Sequence, residues 1–415
     1  MSKAQIKKLS NGLRVGVDEM KDVETVSIGV FVHTGSRNED FSINGISHFL
    51  EHLAFKGTPK RSAKQIAEEF ESIGGYINAY TSREKTVYYV KVLKEYGEFA
   101  IEFLADILQN SLFDKVEIKK ESGVILQEYA MTQDTPDDVV FDYFQETAYP
   151  NQPLGMPIIG SKANIKKFNR DDFLNYINQQ YNYQNTAIVA SGSIKIENLI
   201  KWVEKYFTKL SKNKIKPVSK AIYKGGFYKK EKKLEQINYL LGFKGISYHD
   251  KDYYKCQILS MILGGGMSSR LFQEVRENKG LAYSIYSFNN CFEDAGIFGI
   301  YCATSSDKCQ KMIGLLSDEI QKVSENIKDD ELNKVKTQFK ASLKMAKEST
   351  SSRMQRLGSD ILLHNKIQTD QDIIEKFQDI TKKEITNFAQ KVFATHSTTA
   401  MIGNVKNIKK ITKFI

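Results

Sequence analysis

Four stretches of the chain alternate apolar and polar residues with a period of two, the pattern of half-buried antiparallel strands rich in Tyr, Val and Ile. They are Gly75–Thr81 (GYINAYT), Thr86–Val92 (TVYYVKV), Ala282–Phe288 (AYSIYSF) and Gly296–Cys302 (GIFGIYC). Two further runs, Thr25–His33 and Gln236–Phe243, read as strands that lead into helices. Residues 97–110 and 329–348 instead space their apolar side chains for one face of a helix.

These elements occur twice. Residues 183–208 and 393–414 share one pattern: a strand of small and β-branched residues, a polar turn (Ser191-Gly192-Ser193 or Gly403-Asn404), then a helix of Ile, Val and Lys. A helix opened by a charged cluster precedes each copy, at Arg170-Asp171-Asp172 and at Lys382-Lys383-Glu384. The polar stretch 211–223, with Pro217, separates the copies. The expected organisation is therefore an α+β protein of two homologous domains, each a mostly antiparallel sheet packed with helices. Their bounds are residues 1–211 and 224–415, joined by a linker at 212–223.

Against this repeat, one helix in the first copy stands out. Residues 48–52 read His-Phe-Leu-Glu-His, so His48 and His52 are four apart and share a helix face. Glu51 lies beside them, while Ile46, Phe49, Leu50, Leu53 and Phe55 make the stretch otherwise apolar. Uncompensated polar groups in such a run are costly to bury, and a metal resolves the cost. Two imidazoles at this spacing suit tetrahedral zinc, which in a catalytic site takes a third protein ligand and leaves one position open. The helix at 116–130 offers Glu121 and Glu128, seven apart and on one face. One can ligate while the other orients a histidine. The second copy has nothing equivalent, since Ile262–Arg270 reads ILGGGMSSR there.

HFLEH, followed by LAFKGT, GGYINAYTSREKTVYYV and GVILQEY, resembles peptidase family M16, the pitrilysin and insulin-degrading group. The likeness runs over essentially the whole chain and is nearest to the processing-peptidase β-subunit type and its bacterial short-chain relatives. The family's order, HxxEH, inverts HExxH but places the same groups around one metal. Its third ligand lies 76 residues after the second histidine, and 52 + 76 = 128. The resemblance thus implies one zinc ion per chain held by His48, His52 and Glu128, with Glu51 as general base and Glu121 as supporting carboxylate. It implies that Arg276 and Tyr283 stabilise the reacting carbonyl, acting on the partner's site in a homodimer that encloses a chamber. Extended peptide would pair with the strand at Asn78 and Ala79. Asp138 and Asp142 would recognise an arginine two residues before the cut, although Asp138 replaces the glutamate usual in the family.

Composition narrows the alternatives. The net charge of +10 comes from 60 basic and 50 acidic residues spread along the chain. With no basic stripe or binding motif, a nucleic-acid partner is not expected. No apolar run approaches the ~20 residues that span a bilayer, and the first residues lack the apolar core of a secretory signal. Cys256, Cys291, Cys302 and Cys309 show no metal-ligand spacing and read as reduced thiols. A bacterial cytoplasm fits these features, with the mitochondrial matrix as the alternative.

Overall fold

The computed structural model describes residues 4–215 and 217–409. The first sheet comprises β1 (Gln5–Lys8), β2 (Arg14–Glu19), β3 (Thr25–Val32), β4 (Tyr76–Thr81), β5 (Thr86–Leu93) and β6 (Thr186–Gly192), in the order β1-β2-β6-β3-β5-β4. The second comprises β7 (Gly226–Glu231), β8 (Gln236–Lys244), β9 (Ala282–Cys291), β10 (Gly296–Ser305) and β11 (Thr398–Gly403), in the order β7-β11-β8-β10-β9. Without β1, the two orders superimpose strand for strand. Each sheet has a single parallel pair, β2 with β6 and β7 with β11, and is otherwise antiparallel. The duplication legible in the sequence is a duplication of topology.

Central strands β3, β6, β8, β10 and β11 are buried along nearly their whole length, because each sheet is covered on both faces. On one face of the first sheet, Phe103, Leu104, Phe173, Leu199 and Val203 from helices Gly97–Gln109, Arg170–Gln180 and Ile196–Tyr206 join the large core. On the other, Met354, Leu357 and Ile361 pack on Phe31, Val87, Ala187 and Val189. The second sheet repeats this with helices Tyr253–Gly264, Ser306–Glu325 and Lys382–Phe393 on one side. The helix Pro136–Ala148 lies on the other, through Val140 and Phe144. A glycine in each central strand admits the lone covering helix. A Cβ on Gly29 would lie 2.6 Å from Met354 Sδ, and one on Gly242 would lie 2.3 Å from Phe144 Cζ.

The compact units do not follow chain order. One contains residues up to Tyr129, Met156–Val218 and Leu343–Gln368; the other contains Ala130–Gly155, Ser219–Ser342 and the chain from Thr369. Each therefore takes its lone covering helix, Thr350–Ser359 or Pro136–Ala148, from the opposite half of the sequence.

Other expectations are met or refined locally. The helix read at 116–130 spans Lys115–Asp134, and the one at 329–348 is α-helical over Asp329–Met345. Strands β1, β2 and β7 are too short and polar to stand out in the pattern. Lys229 and Lys230 lie in β7 at a sheet edge, where lysine discourages further strand pairing. The helix expected after Gly403 does not form over residues 404–409, which make a turn, and the rest of it lies outside the described residues. All four cysteines are free thiols, with Cys291 the least buried. Among the described residues no helix is long and apolar enough to cross a membrane.

Candidate metal centre

The helix Ile46–Leu53 buries Ile46, Phe49, Leu50 and Leu53, leaving His48, Glu51 and His52 half-buried on its other side. It begins at Gly45, whose φ of 101° is left-handed; a Cβ there would meet Ile159 O at 2.7 Å. Its first N–H groups are taken by a buried carboxylate from upstream. Glu39 accepts from Gly45 N and Ser47 N, both at 2.8 Å, and from Asn44 Nδ2 at 3.0 Å. Burial pushes the Glu39 carboxyl above its usual range despite these donors. Ser47 and Tyr176 hydroxyls lie 2.6 Å apart, and Tyr176 is 3.0 Å from Thr34 Oγ1, tying the helix start to the core behind it.

The predicted ligands converge. His48 and His52 have ring centroids 4.9 Å apart. Their Nε2 atoms each lie 3.5 Å from an oxygen of Glu128, and the three donor atoms fall within 4.8 Å of one another. At zinc bond lengths of about 2.0–2.1 Å, tetrahedral donors stand about 3.3 Å apart, so this donor set fits the ion. It is the one such group among the described residues. Hydrogen bonds from the two histidines hold the Glu128 carboxyl far below its usual range. For His52, burial pushes the pKa down, but hydrogen bonds to Glu128 and Glu121 outweigh it, and the net shift is upward.

Glu121 is almost fully buried, with one oxygen 3.3 Å from His52 Nδ1 and the other 2.8 Å from Lys56 Nζ. A carboxylate behind a ligating ring fixes its tautomer and orientation. His48 Nδ1, by contrast, is enclosed without a hydrogen-bond partner, so only one of the two rings is oriented in this way. Glu51 Oε2 accepts a hydrogen bond from Thr81 Oγ1 at 2.6 Å.

Asn78 and Ala79 lie on β4, the edge of the first sheet. Ala79 N donates to Asn78 Oδ1 at 2.8 Å, and Asn78 Nδ2 donates to Tyr76 OH at the same distance. The remaining predicted residues stand in the second unit and are not part of the donor group. Arg276, in the π-helical turn Phe272–Asn278, stacks its guanidinium 4.6 Å from the Phe272 ring centre and 4.9 Å from that of Tyr283. Tyr283 is 73% exposed. Asp138 is exposed in the first turn of Pro136–Ala148, where acids complement the helix dipole, and Asp142 lies one turn further on. Sequence reading missed Glu39, Lys56 and Thr81. Of these only Lys56, four residues after His52, carried a spacing signal.

Residues 14–162 match the insulinase family, peptidase family M16, and residues 167–339 match the M16 inactive domain. A Rickettsia bellii protein named an uncharacterized zinc protease is 42% identical over 399 residues, covering 96% of this chain and 97% of that protein. The chain belongs to peptidase family M16. Among other M16 relatives, the uncharacterized zinc protease YmxG of Bacillus subtilis is 40% identical, covering 96% of this chain and 98% of its own. The mitochondrial-processing peptidase subunit beta of Saccharomyces cerevisiae is 33% identical, with 92% and 87% covered. The crystal structure of a Helicobacter pylori protease aligns with a TM-score of 0.89 at 25% identity, over 97% of this chain and 99% of that one.

Proposed function

We propose that this M16 peptidase is a zinc metalloendopeptidase that cuts peptides held in extended form, with one zinc per chain on His48, His52 and Glu128. The observation that carries the reading is the convergence of these three donors beside a half-buried Glu51. A zinc ion held by these three residues would supply Lewis acidity for hydrolysis. Glu51 takes the proton of the attacking water on its carboxylate and returns it to the leaving amine. Glu121, anchored by Lys56, holds His52 in its ligating orientation. The edge strand β4 at Asn78 and Ala79 seats the peptide by main-chain pairing, which tolerates varied side chains.

Arg276 and Tyr283 are the proposed donors to the oxyanion, supplied by the partner subunit of a homodimer whose two chains form the cleavage chamber. Such donors contribute about 3 kcal/mol to catalysis. Asp138 and Asp142 are the proposed contacts for an arginine two residues before the cut, as in presequence-like peptides. The cytoplasm is the proposed location.

Cleavage of an arginine-containing fluorogenic peptide by wild type and Glu51→Gln, each with zinc or chelator, tests the reading. Only the zinc-loaded wild type should cut, while Glu51→Gln still binds one zinc per chain. Equal cleavage by both proteins, or by wild type in chelator, overturns it. Sedimentation tests the dimer, and the mapped cut site tests the arginine preference.

A further inference from the structure

We propose that Thr81 is a positioning residue for Glu51, its hydroxyl selecting which carboxylate oxygen takes the proton. The inference rests on the reading of Glu51 as the general base. Thr81 Oγ1 donates to Glu51 Oε2 at 2.6 Å, across a gap of thirty residues in sequence. The oxygen that already accepts this hydrogen bond is the poorer proton acceptor, so Oε1 is left to receive the proton of the attacking water.

Local structure makes the threonine a firm support. Thr81 is the last residue of β4 and pairs directly with Thr86 of β5. The turn beyond it is closed by Ser82 N to Lys85 O at 2.8 Å and Ser82 Oγ to Lys85 O at 2.9 Å. A β-branched side chain in a strand has few χ1 choices, so the backbone of β4 sets the direction of the hydroxyl. Glutamate has three rotatable bonds and needs such an outside restraint. Side chains two residues apart in a strand share a face, so Ala79 and Thr81 lie in line. The strand proposed to set the peptide register therefore also sets the orientation of the base.

Full-length Thr81→Val, Thr81→Ser and Glu51→Gln, zinc-loaded, are compared with wild type for kcat and KM on the same peptide. Zinc per chain, melting temperature and the affinity of the chelator-treated protein for the peptide are measured alongside. Thr81→Val should lose about 10- to 100-fold in kcat, the scale of a misplaced catalytic group. Its KM, zinc content and metal-free peptide affinity should stay close to wild type, and Thr81→Ser should restore most of kcat. Should Thr81→Val prove insoluble, Thr81→Ala removes the same hydroxyl. A serine variant as slow as the valine variant, or a loss carried by KM or zinc content, overturns the proposal. An undiminished Thr81→Val beside a dead Glu51→Gln also overturns it but leaves the base assignment intact, whereas an active Glu51→Gln removes that assignment itself.

Discussion

After the third strand of the first sheet the chain forms the helix Ile46–Leu53, and after the corresponding strand of the second sheet it forms Tyr253–Gly264. The frames match in strand order, in parallel pairing and in the central glycine that admits a covering helix. The contents do not. The first helix keeps His48, Glu51 and His52 together on one side, whereas the second buries Cys256, Ile258, Leu259, Ile262 and Leu263. A duplicated scaffold is thus permissive of chemistry without conferring it. The difference rests on three polar side chains and on the carboxylates that Lys115–Asp134 brings to them.

The sharpest way to break the comparison is to remove a donor from the first helix and a packing group from the second. His48→Ala should abolish stoichiometric zinc binding and lower kcat/KM by at least about a thousandfold. Leu259→Ala should leave zinc content unchanged while costing about 2–5 kcal/mol of stability, read by denaturant unfolding. A His48→Ala protein that keeps one tightly bound zinc would undo the assignment.

The helix starts differ as well. Glu39→Ala strands two backbone N–H groups and an amide in the core, so a loss of about 2–4 kcal/mol is expected by the same unfolding measurement. In the second unit Asp252, at the start of its helix, pairs with the half-exposed Lys255 at 2.8 Å. Asp252→Ala should cost less than about 1 kcal/mol. Comparable losses at the two positions would show that the buried carboxylate gives the first helix no special anchoring.

Lys56→Met removes the partner of Glu121 and should weaken zinc affinity about tenfold in a chelator competition, with the fold unchanged by circular dichroism. The smallest effect concerns pH. In chelated protein the depressed Glu128 pKa gives stability that is present above its usual 4.5 and is lost as pH falls. The raised His52 pKa gives stability that is full below its usual 6.5 and is lost as pH rises through the raised value. The metal-free protein should therefore gain from both groups between pH 4.5 and 6.5. Protons compete with zinc at the same atoms, so the zinc-induced rise in melting temperature should grow from pH 5.5 to 7.5. A zinc shift that shrinks over that range contradicts the donor set.

How much of this was legible depended on where the determinants lie. Strands β4, β5, β9 and β10 were readable because alternation with Tyr, Val and Ile is a local pattern. The His48, His52 and Glu51 trio was readable because its geometry is fixed within one helix turn. The choice of Glu128 over Glu121 needed the family resemblance, since two glutamates seven apart are equivalent by spacing alone. Glu39, Thr81 and Lys56 act through contacts between separate elements. Only folding reveals that a carboxylate at 39 caps a helix at 46 or that a strand-end hydroxyl reaches Glu51. The interleaved units were hidden for the same reason, because Met354 and Phe144 give no local sign of which sheet they cover.

That interleaving bears on how the protein is made. When the first sheet's strands have all left the ribosome, at Gly192, the helix that covers Phe31, Val87, Ala187 and Val189 is still some 160 residues from synthesis. At translation rates of about 5–20 residues per second, this apolar face stays bare for roughly ten to thirty seconds. The nascent chain must be sheltered over that interval, and a fragment ending at the linker would expose the same surface permanently. The half of the sequence that carries His48, Glu51 and His52 is therefore not an excisable domain, and a fragment cut there should aggregate unless residues 343–368 are supplied with it.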